Sequence, residues 1–426
     1  MAAIFVYFIL PALLLILGLP IFVVLTLTAT AAIVFVAHVP TDAIQTAMFG
    51  SLDNFPLLAV PFFVLAGEIM GRGGIANRVV NWVVSLIGGI RGSLAVTTVA
   101  SSELFGAMAH TSVGTVVAIG RLLFPSLTKH GYNERFAVAL ITSSGAVAVI
   151  IPPSISMILY AMTAQVSAIQ LFTAGILPSL LIGLVDAVYV LVYSRVKMVP
   201  LTAKARWKNI WASTKEASWA IGTIVVIFGG IYGGVFTPTE AAGVAVVYSL
   251  FVAMFIYREI GLAELWQVIV NSVYLIAQIL IIVTGAGIYS WLMTTSGIPQ
   301  QLIGGIEALH LPGWQMLLFV NLGLLLAGSF LEPPAAILIL TPLLLPVVAT
   351  EGINPIHFGI IMAVNLSIGL YMPPFGLNLF AARAIFNVPM GTIYRGVLPF
   401  IVVNFAALLV ITYMPSISMA LLRLGH

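Results

Sequence analysis

The stretch SSGAVAVIIPPS, residues 143 to 154, places hydroxyls and two adjacent prolines inside a run otherwise apolar enough to lie in lipid. Pro152 and Pro153 remove two backbone donors and clash with the preceding turn, which frees carbonyls around Ala148 and Val149. A second pair, Pro373 and Pro374, does the same near Gly369 and Leu370. Freed carbonyls beside hydroxyls are ligands for a hard cation. The C-terminus of a half-helix carries partial negative charge that suits sodium, and the N-terminus of one suits an anion. The chemistry on offer is therefore ion binding. An intramembrane hydrolase is the rival, but it needs a nucleophile beside a base or a cluster of metal ligands. No HExxH or GxSxG occurs, and zero cysteines removes thiolate and disulfide chemistry.

Such residues need elements that hold them at membrane depth. Of 426 residues, 61% are hydrophobic and 7% charged, with a mean hydropathy of +1.17, against roughly a quarter charged in soluble domains. Apolar runs of about 20 residues, the length that crosses a bilayer, recur along the chain. Nothing shows the alternation of a barrel strand, so the expected fold is an all-α polytopic membrane protein. Ile4 to Ala37 is too long for a signal-peptide core and lacks a basic leader, and reads as a transmembrane helix. The net charge of +3 is no nucleic-acid footprint, because six cations gather at Arg195, Lys197, Lys204, Arg206, Lys208 and Lys215. A basic loop of this kind stays cytoplasmic. Trp207, Trp211 and Trp219 suggest an amphipathic helix along that interface, the alternative being a solvated basic linker.

The chain also repeats itself. A shift of 221 residues aligns Pro125 with Pro346, Gly131 with Gly352, Asn133 with Asn354, the two proline pairs with each other, and Gly175 with Gly396. The loop around Gly131 carries Lys129, Glu134 and Arg135, whereas the loop around Gly352 carries Glu351 alone. The positive-inside rule then places the two loops on opposite sides, so the repeats are inverted. Only 29 residues separate Arg91 from Arg121, about 14 per limb of a hairpin turning at GAMAHTS and too few for two crossings. This hairpin is expected to be re-entrant, and its mate at AGSFLEPP to enter from the other face. The organisation expected is a first repeat over 1–194 with a hairpin at about 92–120 and a broken helix at about 136–163; a basic linker over 195–216; and a second repeat over 217–426 with a hairpin at about 313–345 and a broken helix at about 357–384.

The shift pairs Ser144 with Asn365, each eight residues before the first proline of its pair, as cation ligands or second-shell groups. Ser101 and Ser102 lie on the entering limb of the first hairpin, and Glu332 sits at the second tip, where an intramembrane carboxylate is costly. Packing between helices is the alternative for the serines and the asparagine. His110 and Thr111 occupy the first tip. Arg383 could pair with a substrate carboxylate or sulfonate, or anchor as a snorkelling cation near the cytoplasmic end.

These residues also resemble a known family, the large membrane subunit of the tripartite ATP-independent periplasmic (TRAP) transporters. The likeness covers essentially the whole chain and rests on FPLLAVPFFVLAGEIM (55–70), GGIANR (73–78), IPPSISMILYA (151–161), LFTAGILP (171–178), FTPTEAAGVAVVY (236–248) and MPPFGLNLF (372–380). The resemblance implies a sodium-coupled elevator importer, multi-pass in a bacterial inner membrane. It implies two partners, a small four-helix membrane subunit and a periplasmic binding protein that delivers a small organic acid. Sodium sites fall by position at Ser102 and Ser144, and at Asn365 with the backbone near Gly369. Where the family has an SGS-like tip this chain has Ala109, His110 and Thr111, and Thr115 replaces a frequent aspartate. Taken together, the sodium set is Ser102, Ser144, Gly145, Ala148, Glu332, Asn365 and Gly369, and the substrate set is Thr111, Ser112, Pro153, Ser154, Pro374, Asn378 and Arg383. Sodium is the only cofactor expected. The rivals are a stand-alone sodium and organic-anion symporter, a channel, and the hydrolase.

Overall fold

The structure, a computed structural model, describes residues 5–37, 40, 42–202, 205–308 and 311–424. Lys204 of the basic cluster therefore lies outside the described residues. The first run is two helices, α1 (Leu10–Ile16) and α2 (Ile21–Ala32), where one was expected over Ile4 to Ala37. Gly18 takes a left-handed φ of 78°, and Pro20 cannot continue the preceding helix, so the chain breaks there.

Next come α3 (Asp42–Leu52), α4 (Ala59–Arg72) and α5 (Ile75–Leu86). The first hairpin is α6 (Ser93–Ala109) and α7 (Ser112–Lys129), followed by α8 (Glu134–Val147), α9 (Ile155–Thr163) and α10 (Ala168–Val196). The second half opens with α11 (Trp207–Tyr232), α12 (Pro238–Phe251), α13 (Leu262–Thr295) and α14 (Ile298–Ala308). Its hairpin is α15 (Gly313–Phe330) and α16 (Pro333–Ala349), followed by α17 (Pro355–Gly369), α18 (Leu377–Phe386), α19 (Met390–Tyr413) and α20 (Pro415–Leu424). Among the described residues six helices are long and apolar enough to cross a membrane, or seven if α8 and α9, bent by 41°, form one broken span.

The repeat reaches individual caps. Asn133 and Asn354 take extended backbone before α8 and α17, and each side chain accepts a backbone N–H at 2.8 Å, from Arg135 and Ile356 respectively. Contacts also fix direction. Tyr132, in the loop between α7 and α8, bonds Ser194 at the end of α10 at 3.1 Å, and the Arg135 guanidinium donates to the Arg395 carbonyl. The mouth of the first hairpin thus shares the basic end of the molecule. At the other end, the Tyr413 hydroxyl donates to the Trp314 carbonyl at 2.7 Å and the Tyr160 hydroxyl to the Pro355 carbonyl at 2.6 Å. The hairpins therefore open toward opposite ends, and each half lends its half-helix to the other: α18 packs on α7, and α9 on α16.

The stretch read as a linker over 195–216 does not stop at 216, because α11 starts at Trp207 and continues unbroken to Tyr232. Trp207 and Trp211 are exposed, at 76% and 65%. The inner side of the same helix is tied to α5 by Trp82 Nε1 donating to Thr214 Oγ1 at 3.0 Å and by Ser85 with Ser213 at 2.6 Å. Arg78 adds an ion pair with Glu259 at 2.5 Å and lies 3.8 Å over the Tyr257 ring.

Candidate functional site

Helices α6 and α8 both start at the basic end and run inward side by side. They touch where Gly106 meets Ala148: a Cβ on Gly106 would lie 2.7 Å from the Ala148 carbonyl oxygen. Ser102 and Ser144 each sit one turn before that contact on helices running in parallel, so their hydroxyls share a level. Ser101, Ser102 and Ser144 are all fully buried, and none of the three hydroxyls has a hydrogen-bond partner in the protein. Gly145 closes the far side, where an added Cβ would lie 3.1 Å from the Val116 backbone nitrogen of α7. Buried hydroxyls are nearly always paired. Three without partners, beside the end of a half-helix, are a donor set that fits sodium.

The first tip is held firmly. His110 takes a left-handed φ of 54°, its ring stands edge-on to Phe63 at 4.8 Å, and it lies beside the Pro153 carbonyl without completing a bond to it. Thr111 is extended, and Ser112 opens α7 by donating to Asn378 Oδ1 at 2.6 Å. Asn378 in turn donates to the Thr142 carbonyl at 3.3 Å. Two residues assigned to substrate from opposite halves, Ser112 and Asn378, are thus joined directly. Ser154, buried before α9, makes no cap bond.

The second half uses the same contact with different groups. A Cβ on Gly369 would lie 2.6 Å from the Gly328 Cα. Asn365, one turn earlier, donates to Asn321 Oδ1 at 2.6 Å and to the Ile361 carbonyl at 2.8 Å, leaving its own Oδ1 without a partner. Asn321 continues the chain by donating to Thr412 Oγ1 at 3.2 Å. The sequence reading passed over Asn321, although an amide inside the apolar run LLFVNLGLLL was a visible signal.

Three expectations need correction. The carbonyls freed by the prolines are partly reused, since Ala148 O accepts from Ile151 N at 3.3 Å and Gly369 O from Met372 N at 3.0 Å. The chain turns back after each break and supplies new donors, so each carbonyl keeps one lone pair for an ion. Glu332 does not join Asn365 and Gly369: it is exposed ahead of α16 and lines a cavity of about 690 Å³ with Tyr274 and Gln278 of α13. Arg383 is exposed in the last turn of α18, away from the tip, and Pro374 is also exposed, its carbonyl accepting from Tyr394 at 2.8 Å.

The arginine that shares a cavity with the first tip is a different one. A cavity of about 480 Å³ runs from Ala109, Thr111 and Gly114 past Asn77 to Arg121 and Arg72. Arg72 pairs with Glu68 at 3.5 Å, and Arg121 forms no salt bridge among the described residues. Arg121 had been taken as the mouth of the hairpin, but the limbs are 17 and 18 residues long and it lies midway along α7. At 1.5 Å per residue each limb is about 26 Å, still short of the ~30 Å core. A cation facing a cavity has no need of the helix end, so the charge misplaced the boundary.

The arrangement matches known proteins. The family described as "Tripartite ATP-independent periplasmic transporter, DctM component" matches residues 8–417. The chain is 41% identical over 374 residues to the C4-dicarboxylate TRAP transporter large permease protein DctM of Pseudomonas aeruginosa, covering 88% of each chain. It is 38% identical to the isethionate TRAP transporter permease protein DctMQ of Oleidesulfovibrio alaskensis, covering 96% of this chain and 64% of that one. A crystal structure of the Alcanivorax borkumensis YdaH transporter has a similar fold, with a TM-score of 0.67 at 15% identity over 88% of this chain and 89% of that one.

Proposed function

The chain belongs to the DctM-component family of tripartite ATP-independent periplasmic transporters, and from that premise we propose that it imports a small organic anion together with sodium across a bacterial inner membrane. It does so with a small membrane subunit and a periplasmic binding protein that delivers the anion. The observation that carries the sodium reading is the set of buried, unpartnered oxygens on Ser101, Ser102, Ser144 and Asn365, beside the close contacts of Gly106 with Ala148 and of Gly328 with Gly369, of which Ala148 and Gly369 are related by the repeat. Sodium at these points would join α6 to α8 and α15 to α17, so each hairpin and its neighbouring half-helix travel as one body. That is the requirement of an elevator motion.

The anion meets the tip cavity. Arg121 offers a guanidinium that forms no salt bridge among the described residues, Glu68 on the same wall being paired with Arg72, and Thr111 and Asn77 offer polar groups. The C4-dicarboxylate and isethionate in the relatives' names are small organic anions of the kind such a wall attracts. The test is uptake into proteoliposomes holding this chain and its small subunit, with C4-dicarboxylates and isethionate as candidates, with and without binding protein and an inward sodium gradient. Uptake that requires both is expected. Uptake indifferent to sodium would remove the cation sites, and uptake without binding protein would make the chain a stand-alone symporter.

A further inference from the structure

A second group of oxygens lies away from the tips, where α6 of the first hairpin packs on the long helix α10 and α10 packs on α19. Asp186 of α10 is fully buried; its Oδ1 accepts from Asn404 Nδ2 of α19 at 3.1 Å, and its Oδ2 has no partner. Asn404 is fully buried as well, donates to the Tyr371 hydroxyl at 3.0 Å, and leaves its own Oδ1 unpartnered. The Glu103 carboxylate of α6 rests on Gly183, in the space a Cβ there would fill, and is within electrostatic reach of Asp186. Gly183 is one turn before Asp186 on the same face of α10. Among the described residues neither acid forms a salt bridge.

Asp186 stands ten residues from the end of α10 at Val196, about 15 Å into the membrane along the helix. Two carboxylates at that depth with no basic side chain are strongly unfavourable, and such groups are held where a positive charge accompanies them. The groups around Asp186 are rich in oxygen: the Glu103 carboxylate against Gly183 on the same face of α10, the unpartnered amide oxygen of Asn404, and the Tyr371 phenol, while the one amide nitrogen, Asn404 Nδ2, is already taken up by Asp186 Oδ1 and the Tyr371 hydroxyl. That set suits a hard cation and offers nothing to a soft one. Gly183 is what admits Glu103, since any larger residue would push its carboxylate off α10.

We infer that Glu103, Asp186 and Asn404 form a cation site of their own, taking a hard oxygen-ligated cation such as sodium or calcium. An ion there would clamp α6 of the first hairpin to α10 and α19. The site shares no residue with the Ser102 and Ser144 set, so it stands whether or not that set binds sodium.

The experiment is cation binding to the purified full chain in nanodiscs, by calorimetric titration with sodium, calcium and potassium chlorides, with choline chloride matching ionic strength. Asp186→Asn and Glu103→Gln keep shape and remove charge, and their melting in choline reports whether each is folded. The result expected is one cation whose affinity falls at least about tenfold, or 1.4 kcal/mol, in either carboxamide variant and is unchanged in Arg383→Ala, on the exposed end of α18. Unaltered binding of all three cations in the folded variants would overturn the site. So would a stabilisation of the wild type that follows acidification rather than any metal cation and disappears in Asp186→Asn, because the pair would then hold protons.

Discussion

Ser144 and Asn365 occupy equivalent positions in the two halves, one turn before equivalent close contacts, yet they are held in different ways. Ser144 is fully buried with its hydroxyl unpaired, as are Ser101 and Ser102 on the neighbouring helix. Asn365 is anchored by two hydrogen bonds through its amide nitrogen, and only its oxygen is free. The tips differ in the same sense. His110 is packed against Phe63 at 8% exposure, while Glu332 stands in the open. The first-half hydroxyls thus make no hydrogen bond within the protein. The second-half amide is also part of the helix packing. Loss of a ligand should therefore separate binding from stability in the first half and mix them in the second.

The contact both halves share is the place to break them most severely. Gly106→Val puts branched atoms onto the Ala148 side chain and carbonyl, and neither helix can yield without displacing Ser102 and Ser144. Overpacking of this kind costs about 1–3 kcal/mol of stability. Since it pries apart the ligand-bearing helices, uptake should fall at least about 100-fold, roughly the loss expected when positioning goes wrong by an ångström. Gly328→Val should do the same in the second half through Leu366 and Gly369. Normal uptake by either variant in proteoliposomes would show that the backbone approach has no bearing on transport.

Between the two arginines the contrast should be nearly as large. Arg121→Ala removes the unpaired guanidinium of the tip cavity and should raise the KM for the anion about 10- to 30-fold, the scale of a lost charge-assisted bond of ~1.5–2 kcal/mol. Arg383→Ala, on the exposed end of α18, should leave KM within about twofold, as for surface cations in general. Equal effects of the two changes, measured as initial rates against anion concentration, would place the substrate elsewhere.

Ser144→Ala and Asn365→Ala test the comparison itself. Both should shift the sodium concentration for half-maximal uptake upward by about tenfold, one ligand lost at ~1.4 kcal/mol. In sodium-free buffer Ser144→Ala should melt at the wild-type temperature, because it deletes a group with nothing to hold. Asn365→Ala also removes the 2.6 Å donor to Asn321 Oδ1, leaving it only the Thr412 hydroxyl at 3.5 Å, and should lose about 1–3 kcal/mol of stability. Melting curves that fall together, or a sodium midpoint unmoved in both, would dissolve the distinction between the halves.

Much of this plan was legible in the sequence for a physical reason. Asn133 with Asn354, and the two proline pairs, are residues that force particular backbone, so they survive a 221-residue shift where Leu and Val carry no signal. Ser112 and Asn378 were singled out one by one, but no spacing tells that they meet across the halves, since that depends on how α18 packs against α7. Charge misled at Arg121 because the positive-inside rule assumes that a cation marks a membrane edge, whereas a hairpin lining a cavity carries one midway. Glu103 and Asp186 were overlooked although an acid inside LIGLVDAVYVLV was plain to see. Their significance comes from proximity: the Glu103 carboxylate rests on α10 one turn from Asp186 only because residue 183 is a glycine.

The smallest effect expected is at His110, the one titratable group in the first tip. Its ring lies against Phe63 and beside the Pro153 carbonyl with no completed hydrogen bond, so the imidazole fills space while the backbone at φ 54° sets the turn. The left-handed region tolerates asparagine and penalises β-branched residues. His110→Asn should accordingly keep uptake within about twofold, with an unchanged pH profile, whereas His110→Val should lose about 1–3 kcal/mol and most of its transport through strain at the tip. A large loss in His110→Asn accompanied by an altered pH profile would mean that the imidazole itself takes part, and the first half would then no longer be the purely hydroxyl-lined partner of the second.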